Sequence, residues 1–295
     1  MSLVQMNFES QYLGVNHEIS VILPDKPRNL TPAEFYGSGK KYKVLWLLHG
    51  TFGDHSDWIR KSNIELYACE RDLIVVMPSG MNADYASWPE FTLGYDMWSY
   101  LTEELMPLVY NWFPASDKRE DNFIAGLSMG GGGVLKYALG HPDKFAGMAV
   151  LSSCARNVDY LKPYAALTAA EFRAKANAGE IEGLDPKRGA RQINSIAKYP
   201  TVGDYLASYE NTWDRLGELV KGKAELPKIY AACGKNDFLY TAYTAFKAYC
   251  GKLGLDAKFE EIEGFRHEWR FWDLTIQHAL TYFGLDRPED AGNPF

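Results

Sequence analysis

Two apolar runs limit the possible folds of this chain more than any other feature. Residues 43–49 read KVLWLLH and residues 72–78 read DLIVVMP, almost without a polar side chain between their ends. A strand with one wet face alternates polar and apolar residues. Runs like these predict strands covered on both faces, as in the middle of a parallel sheet. Shorter runs at 122–125, 145–152 and 227–233 and a mixed one at 257–262 extend the series. Helical spacing fills the gaps. Leu101, Leu105, Leu108 and Val109 mark one helix within 96–112, and 239–253 and 269–283 predict two more. Strands separated by helices imply βαβ crossovers, so the expected class is α/β, with a mostly parallel central sheet and helices on both faces. Residues 6–10 and 18–23 alternate instead, as an antiparallel pair at a sheet edge would.

A length of 295 residues allows two domains, but single α/β domains often reach this size. One domain over 1–295 is expected, with an insertion. Residues 157–223 are polar and helix-rich and hold no convincing strand, so they form either a lid over a site or helices packed on the flank.

The chemistry centres on Gly126-Leu127-Ser128-Met129-Gly130, a G-x-S-x-G sequence between a strand pattern and a helical one. A strand running through serine into a helix is the context of a nucleophile elbow. Small residues at 126 and 130 suit so tight a turn. Three further glycines, 131–133, predict that the first helical turns press against a neighbour. A serine hydroxyl needs a base to take its proton, and the base needs a carboxylate to orient it. In this kind of fold the order is Ser, acid, His, with both partners on loops after later strands. His267 lies in the loop after the last strand and is the expected base, whereas His278 lies mid-helix. Asp237 follows the strand at 227–233 and is the expected acid, with the competing role of capping the next helix. Asp256 is the reserve, on the wrong side of a strand. The oxyanion of an acyl-transfer intermediate needs two amide donors. The N–H of Met129 supplies one, and the loop after the strand at 43–49 supplies the other, through Thr51. His49 is expected to brace that loop.

With a formal net charge of −7, the chain is a poor ligand for nucleic acid or anionic membranes. It has no apolar stretch of 18 residues. The first residues lack a basic region leading into an apolar core, so a cytoplasmic location is expected, although a trimmed leader would leave no trace. The four cysteines, 69, 154, 233 and 250, include no C-x-x-C pair and suit no metal site; they read as free thiols in a reducing compartment. Aromatic residues are plentiful, with 8 Trp and 19 Tyr. Most such residues fill cores, but Trp58, Trp88 and Trp98 are candidate walls of a substrate pocket.

Several of these residues fall together in one further pattern. His49-Gly50, Gly53, Trp58, the elbow at 126–130, Asp237 and Gly264-x-x-His267-x-Trp269-x-x-Trp272 resemble the esterase D family over about residues 43–272. That α/β-hydrolase group includes tributyrin esterases, S-formylglutathione hydrolases, feruloyl and acetylxylan esterases and mycolyl transferases. The chain is most similar to its small tributyrin or acetyl esterase branch. The resemblance implies a serine carboxylesterase with Ser128, Asp237 and His267 as triad, acting on a small-molecule ester with no metal or organic cofactor. Short-chain acyl or aryl esters are the expected substrates. Acyl transfer to another acceptor, thioester hydrolysis and a non-catalytic binding module on the same fold are the other readings. Homo-oligomerisation is left open.

Overall fold

The structure is a computed structural model that describes residues 2–91, 93–184 and 189–287. The chain divides into two compact units: Met1–Cys154 with Glu225–Phe295, and Ala155–Ala224 between them.

The larger unit is built on eight strands: β1 (Ser2–Ser10), β2 (Val15–Leu23), β3 (Lys43–Leu48), β4 (Leu73–Pro78), β5 (Asn122–Leu127), β6 (Gly147–Leu151), β7 (Lys228–Gly234) and β8 (Ala257–Ile262). They lie in the order β1-β2-β4-β3-β5-β6-β7-β8. Pairing is parallel from β4 to β8, and the β1–β2 hairpin adds antiparallel to β4. With helices packed around such a sheet, this is the α/β-hydrolase fold. The central strands are apolar for a physical reason. Nearly every side chain of β3, β4, β5 and β6 is buried, so neither face can carry a polar residue without a partner. Asn122 is the exception that satisfies this rule. Its amide accepts from the indole of Trp46 at 2.9 Å and donates to the carbonyls of Ser116 and Lys118.

The edge hairpin is longer than the alternation at 6–10 and 18–23 predicts, because its outer residues face water and carry little apolar signal. The expected helix at 96–112 is present but irregular. Asp96 caps it by accepting from the Ser99 amide. A π-helical stretch, Tyr100–Leu105, then precedes the regular turns Met106–Trp112. Pro107 has no N–H to donate to the preceding turn, a common cause of such widening. The sequence patterns miss two short helices, Asp57–Lys61 and Ile64–Cys69, which complete the crossover from β3 to β4.

The smaller unit, Ala155–Ala224, contains the helices Ala169–Asn177, Ala190–Ile196, Val202–Leu206 and Thr212–Lys221. Its interior holds a buried carboxylate, Glu210. That group is satisfied by Lys198 at 2.6 Å, the Ser195 hydroxyl at 2.7 Å and the Tyr199 hydroxyl at 2.8 Å.

Candidate active site

Parallel strands deliver their following loops to one edge of the sheet, the usual place for a site in this architecture. Ser128 follows β5, Ser152 follows β6, Asp237 follows β7, His267 follows β8, and the loop 49–53 follows β3.

Ser128 sits at φ 52° and ψ −115°, a left-handed conformation that costs a non-glycine residue energy and is held here by its surroundings. Its amide donates to Leu151 of β6 at 2.8 Å. The helix Met129–Gly140 starts immediately. A Cβ on Gly126 would come within 2.6 Å of the Gly130 carbonyl, and one on Gly130 within 2.5 Å of the Leu48 carbonyl. The turn therefore closes only with glycine at both places. The expected neighbours of the next glycines are now identified. Gly131 abuts Ser153 and Gly133 abuts the ring of Tyr85, while Gly132 has nothing within 4 Å.

Two backbone hydrogen bonds join the loops after β7 and β8. The Lys235 amide donates to Ile262, and the Asn236 amide to Phe265, each at 3.0 Å. Side chains 30 positions apart in sequence are thereby held face to face. His267 Nδ1 lies 2.8 Å from Asp237 Oδ2, and its Nε2 lies 2.9 Å from Ser128 Oγ. Asp237 Oδ1 accepts from the Leu239 amide at 2.9 Å. That second oxygen closes a tight turn just before the next helix and does not cap it: the helix begins at Tyr240, and its N-cap, Leu239, has no side-chain capping bond. The Asp237 side chain is fully buried. Burial pushes the Asp237 carboxyl up, but the hydrogen bonds from His267 and Leu239 outweigh it and help hold the group below the ordinary carboxylate value. An ionised carboxylate only accepts, so Nδ1 carries the imidazole proton and Nε2 is left to accept from Ser128.

Ser152, which has no signal of its own in the sequence patterns, and Trp272, part of the family pattern, support this chain of groups. Ser152, itself at φ 47°, accepts from the indole N–H of Trp272 at 2.9 Å. Its hydroxyl adds a smaller contribution to holding the Asp237 carboxyl low. The Trp272 ring stands edge-on to His267 with centroids 5.0 Å apart, and Phe238 lies 4.7 Å away on another side.

The loop 49–53 is braced by His49. The His49 Nε2 accepts from the Gly80 amide at 2.6 Å, so its Nδ1 is the donor to the Gly50 carbonyl at 2.6 Å. Burial lowers its basicity and keeps it neutral for this task. A Cβ on Gly50 would lie 2.5 Å from Leu127 and 3.5 Å from Ser128 Cβ, so the start of the loop, which leads into Thr51, is pressed against Ser128. Met129 opens the helix behind Ser128. Its N–H belongs to the first turn, whose amides have no intrahelical partner.

The three tryptophans separate. Trp58 is 1% exposed, donates to the Leu48 carbonyl and packs edge-on to Trp269. It is a core residue and no pocket wall. Trp98 stacks on Tyr137 and His141 and covers Gly140. That is the far end of a 12-residue helix, about 18 Å long by helix geometry, from Ser128. It too lies away from the site. Trp88 lines a cavity beside the loop 49–53. The reserve residues lie elsewhere. Asp256 precedes β8 at the opposite sheet edge, and His278 bonds to Glu260 at 3.0 Å. Among the described residues, no group of three or more His, Cys, Asp or Glu side chains is placed to hold a metal ion, and no helix is long and apolar enough to cross a membrane. All four cysteines are free thiols, three of them buried.

Comparison with known proteins gives a consistent picture. The model of the Esterase family, described as "Putative esterase", matches residues 10–237. An acetyl esterase of Caldicellulosiruptor saccharolyticus is 30% identical over 290 residues, covering 96% of this chain and 98% of that one. FphF, a fluorophosphonate-binding serine hydrolase of Staphylococcus aureus, superposes with a TM-score of 0.72 at 28% identity, covering 97% of this chain and 98% of that one. The S-formylglutathione hydrolase FrmB of the same organism also has a TM-score of 0.72 and 28% identity, with 97% and 99% covered.

Proposed function

The chain belongs to the Esterase family and is a serine carboxylesterase, and from there we propose that Ser128, His267 and Asp237 carry its reaction. The observation that supports this most is the unbroken relay from Ser128 Oγ through both ring nitrogens of His267 to a buried, ionised carboxylate, with steps of 2.9 and 2.8 Å. His267 Nε2 takes the hydroxyl proton as Ser128 Oγ attacks the ester carbonyl. The tetrahedral oxyanion is received by the amides of Met129 and Thr51. His267 then gives its proton to the leaving alcohol. Water, deprotonated by the same imidazole, releases the acid from Ser128. Asp237 keeps the ring in the required tautomer and stabilises its charged form.

Short-chain acyl and aryl esters are the substrates this reading favours. Likeness to an S-formylglutathione hydrolase supports a second reading, hydrolysis of a thioester by the same steps. Residues 157–223 are read as an insertion into one hydrolase domain. The four free thiols favour a reducing, cytoplasmic location. Treatment with a fluorophosphonate probe and turnover of p-nitrophenyl acetate and S-formylglutathione test the assignment. The wild type labels at Ser128 and turns over at least one substrate, and Ser128→Ala does neither while keeping its melting temperature. Turnover by Ser128→Ala equal to wild type removes the mechanism.

A further inference from the structure

The cavity beside the loop 49–53 has a volume of about 600 Å³ and is lined by Phe52, Gly53, Met81, Asn82, Ala83, Trp88, Phe91 and Tyr95. That volume lies in the range of small-molecule sites, about 300–1,000 Å³. None of these side chains is charged. The one that could ionise, the Tyr95 phenol, is pushed up by burial and stays neutral. Two polar side-chain atoms of the lining are engaged by the protein. The Trp88 indole N–H donates to the Ala83 carbonyl at 2.8 Å, and Asn82 Oδ1 accepts the Phe52 amide at 2.8 Å. The surface offered to a ligand is therefore largely apolar, rich in aromatic rings and uncharged.

The side chains at its mouth are left open to water. Phe52 is 90% exposed, Met81 50% and Phe91 52%. A cluster of uncovered apolar groups marks a binding surface. The backbone is strained to hold them there. Phe52, Met81, Asp84 and Tyr85 have φ of 64°, 45°, 54° and 50°. Such residues persist only where the surroundings over-determine them, commonly at ligand sites. Both walls connect to segments beside Ser128. Phe52 follows Thr51 directly, and the wall at 80–95 is fastened through Gly80 to His49 and through Tyr85 to Gly133 of the elbow helix.

We propose that this cavity is the subsite for a neutral aromatic ring of the ester substrate, with Trp88 as its principal wall and Phe52, Met81 and Phe91 at its mouth. The inference rests on the esterase reading and names the substrate class of that site. It disfavours glutathione thioesters, whose carboxylates find no counter-charge in this lining.

The test compares three esters in the full-length protein: 1-naphthyl acetate with the ring on the alcohol side, methyl cinnamate with the ring on the acyl side, and ethyl acetate with no ring. Trp88→Ala is expected to lower the aryl-over-alkyl ratio of kcat/KM about tenfold for one of the two aromatic esters, which identifies the side that enters the cavity. Phe91→Ala, at the half-open mouth, gives a smaller fall of about threefold and serves if Trp88→Ala does not fold. A ratio unchanged in both variants, or an equal loss for all three esters, overturns the subsite. Loss of fluorophosphonate labelling in the wild type would instead remove the esterase mechanism beneath it.

Discussion

Asp237→Asn tests the tautomer argument directly, because the structure dictates which way the new amide must face. The Leu239 amide is a donor, 2.9 Å from Oδ1, and only the carbonyl oxygen of an asparagine can receive it. The NH2 group then takes the place of Oδ2, 2.8 Å from His267 Nδ1. NH2 only donates, so Nδ1 must lose its proton and Nε2 must carry it. A protonated Nε2 cannot accept the hydrogen of Ser128, which lies 2.9 Å away. Loss of a neutral hydrogen bond alone would cost about 1 kcal/mol, or somewhat less than tenfold. The wrong tautomer costs far more. The same exchange in a serine protease lowers kcat on the order of 10⁴-fold, about 5.4 kcal/mol at roughly 1.36 kcal/mol per decade. The assay is kcat for p-nitrophenyl acetate, with a thermal melt to show that the variant is folded. A loss under about tenfold in a folded variant would refute both the tautomer argument and the role of Leu239 in setting it.

The glycines of the elbow helix give a contrasting pair. Gly132→Ala meets nothing within 4 Å and should stabilise by up to about 1 kcal/mol, whereas Gly133→Ala places a methyl 2.7 Å from the buried Tyr85 ring and should lower the melting temperature; equal melting temperatures would contradict the packing described. Ser152→Ala removes one of the groups that hold the Asp237 carboxyl low, so kcat should fall about tenfold with KM unchanged. Trp272→Phe, which leaves the Ser152 hydroxyl without its indole partner, should show a smaller loss in the same assay. Burial is the main force that pushes the His17 imidazole down from 6.5 to about 4. Between those two pH values the unfolded chain holds a proton that the folded one does not. Stability is therefore full above pH 6.5 and is lost as the pH falls toward 4, by about 3 kcal/mol. His17→Gln should flatten the melting temperature against pH across that window, and an unchanged slope would place the acid sensitivity elsewhere.

Much of this protein can be read from short stretches of chain, because the forces concerned act over short stretches. Burial on two faces leaves apolar runs such as 43–48 and 73–77, whichever strands flank them. The elbow is legible because the turn tolerates only small residues on either side of Ser128, and that demand is met within five positions. The placement of Asp237 and His267 follows from chain order and from loops that parallel strands all deliver to one edge. Tertiary structure alone decided the rest. Trp58, Trp88 and Trp98 have equal claims on a pocket until packing puts the first against Trp269, the last against Tyr137 and only Trp88 beside a cavity. Gly131, Gly132 and Gly133 look alike in sequence and differ only in what faces them. Ser152 acquires its part through Trp272, 120 positions away, and Asp237 divides its two oxygens between the turn before a helix and an imidazole. Periodicity and turn chemistry are written into neighbouring residues, whereas a side chain's partner depends on which distant segment the completed sheet brings alongside it.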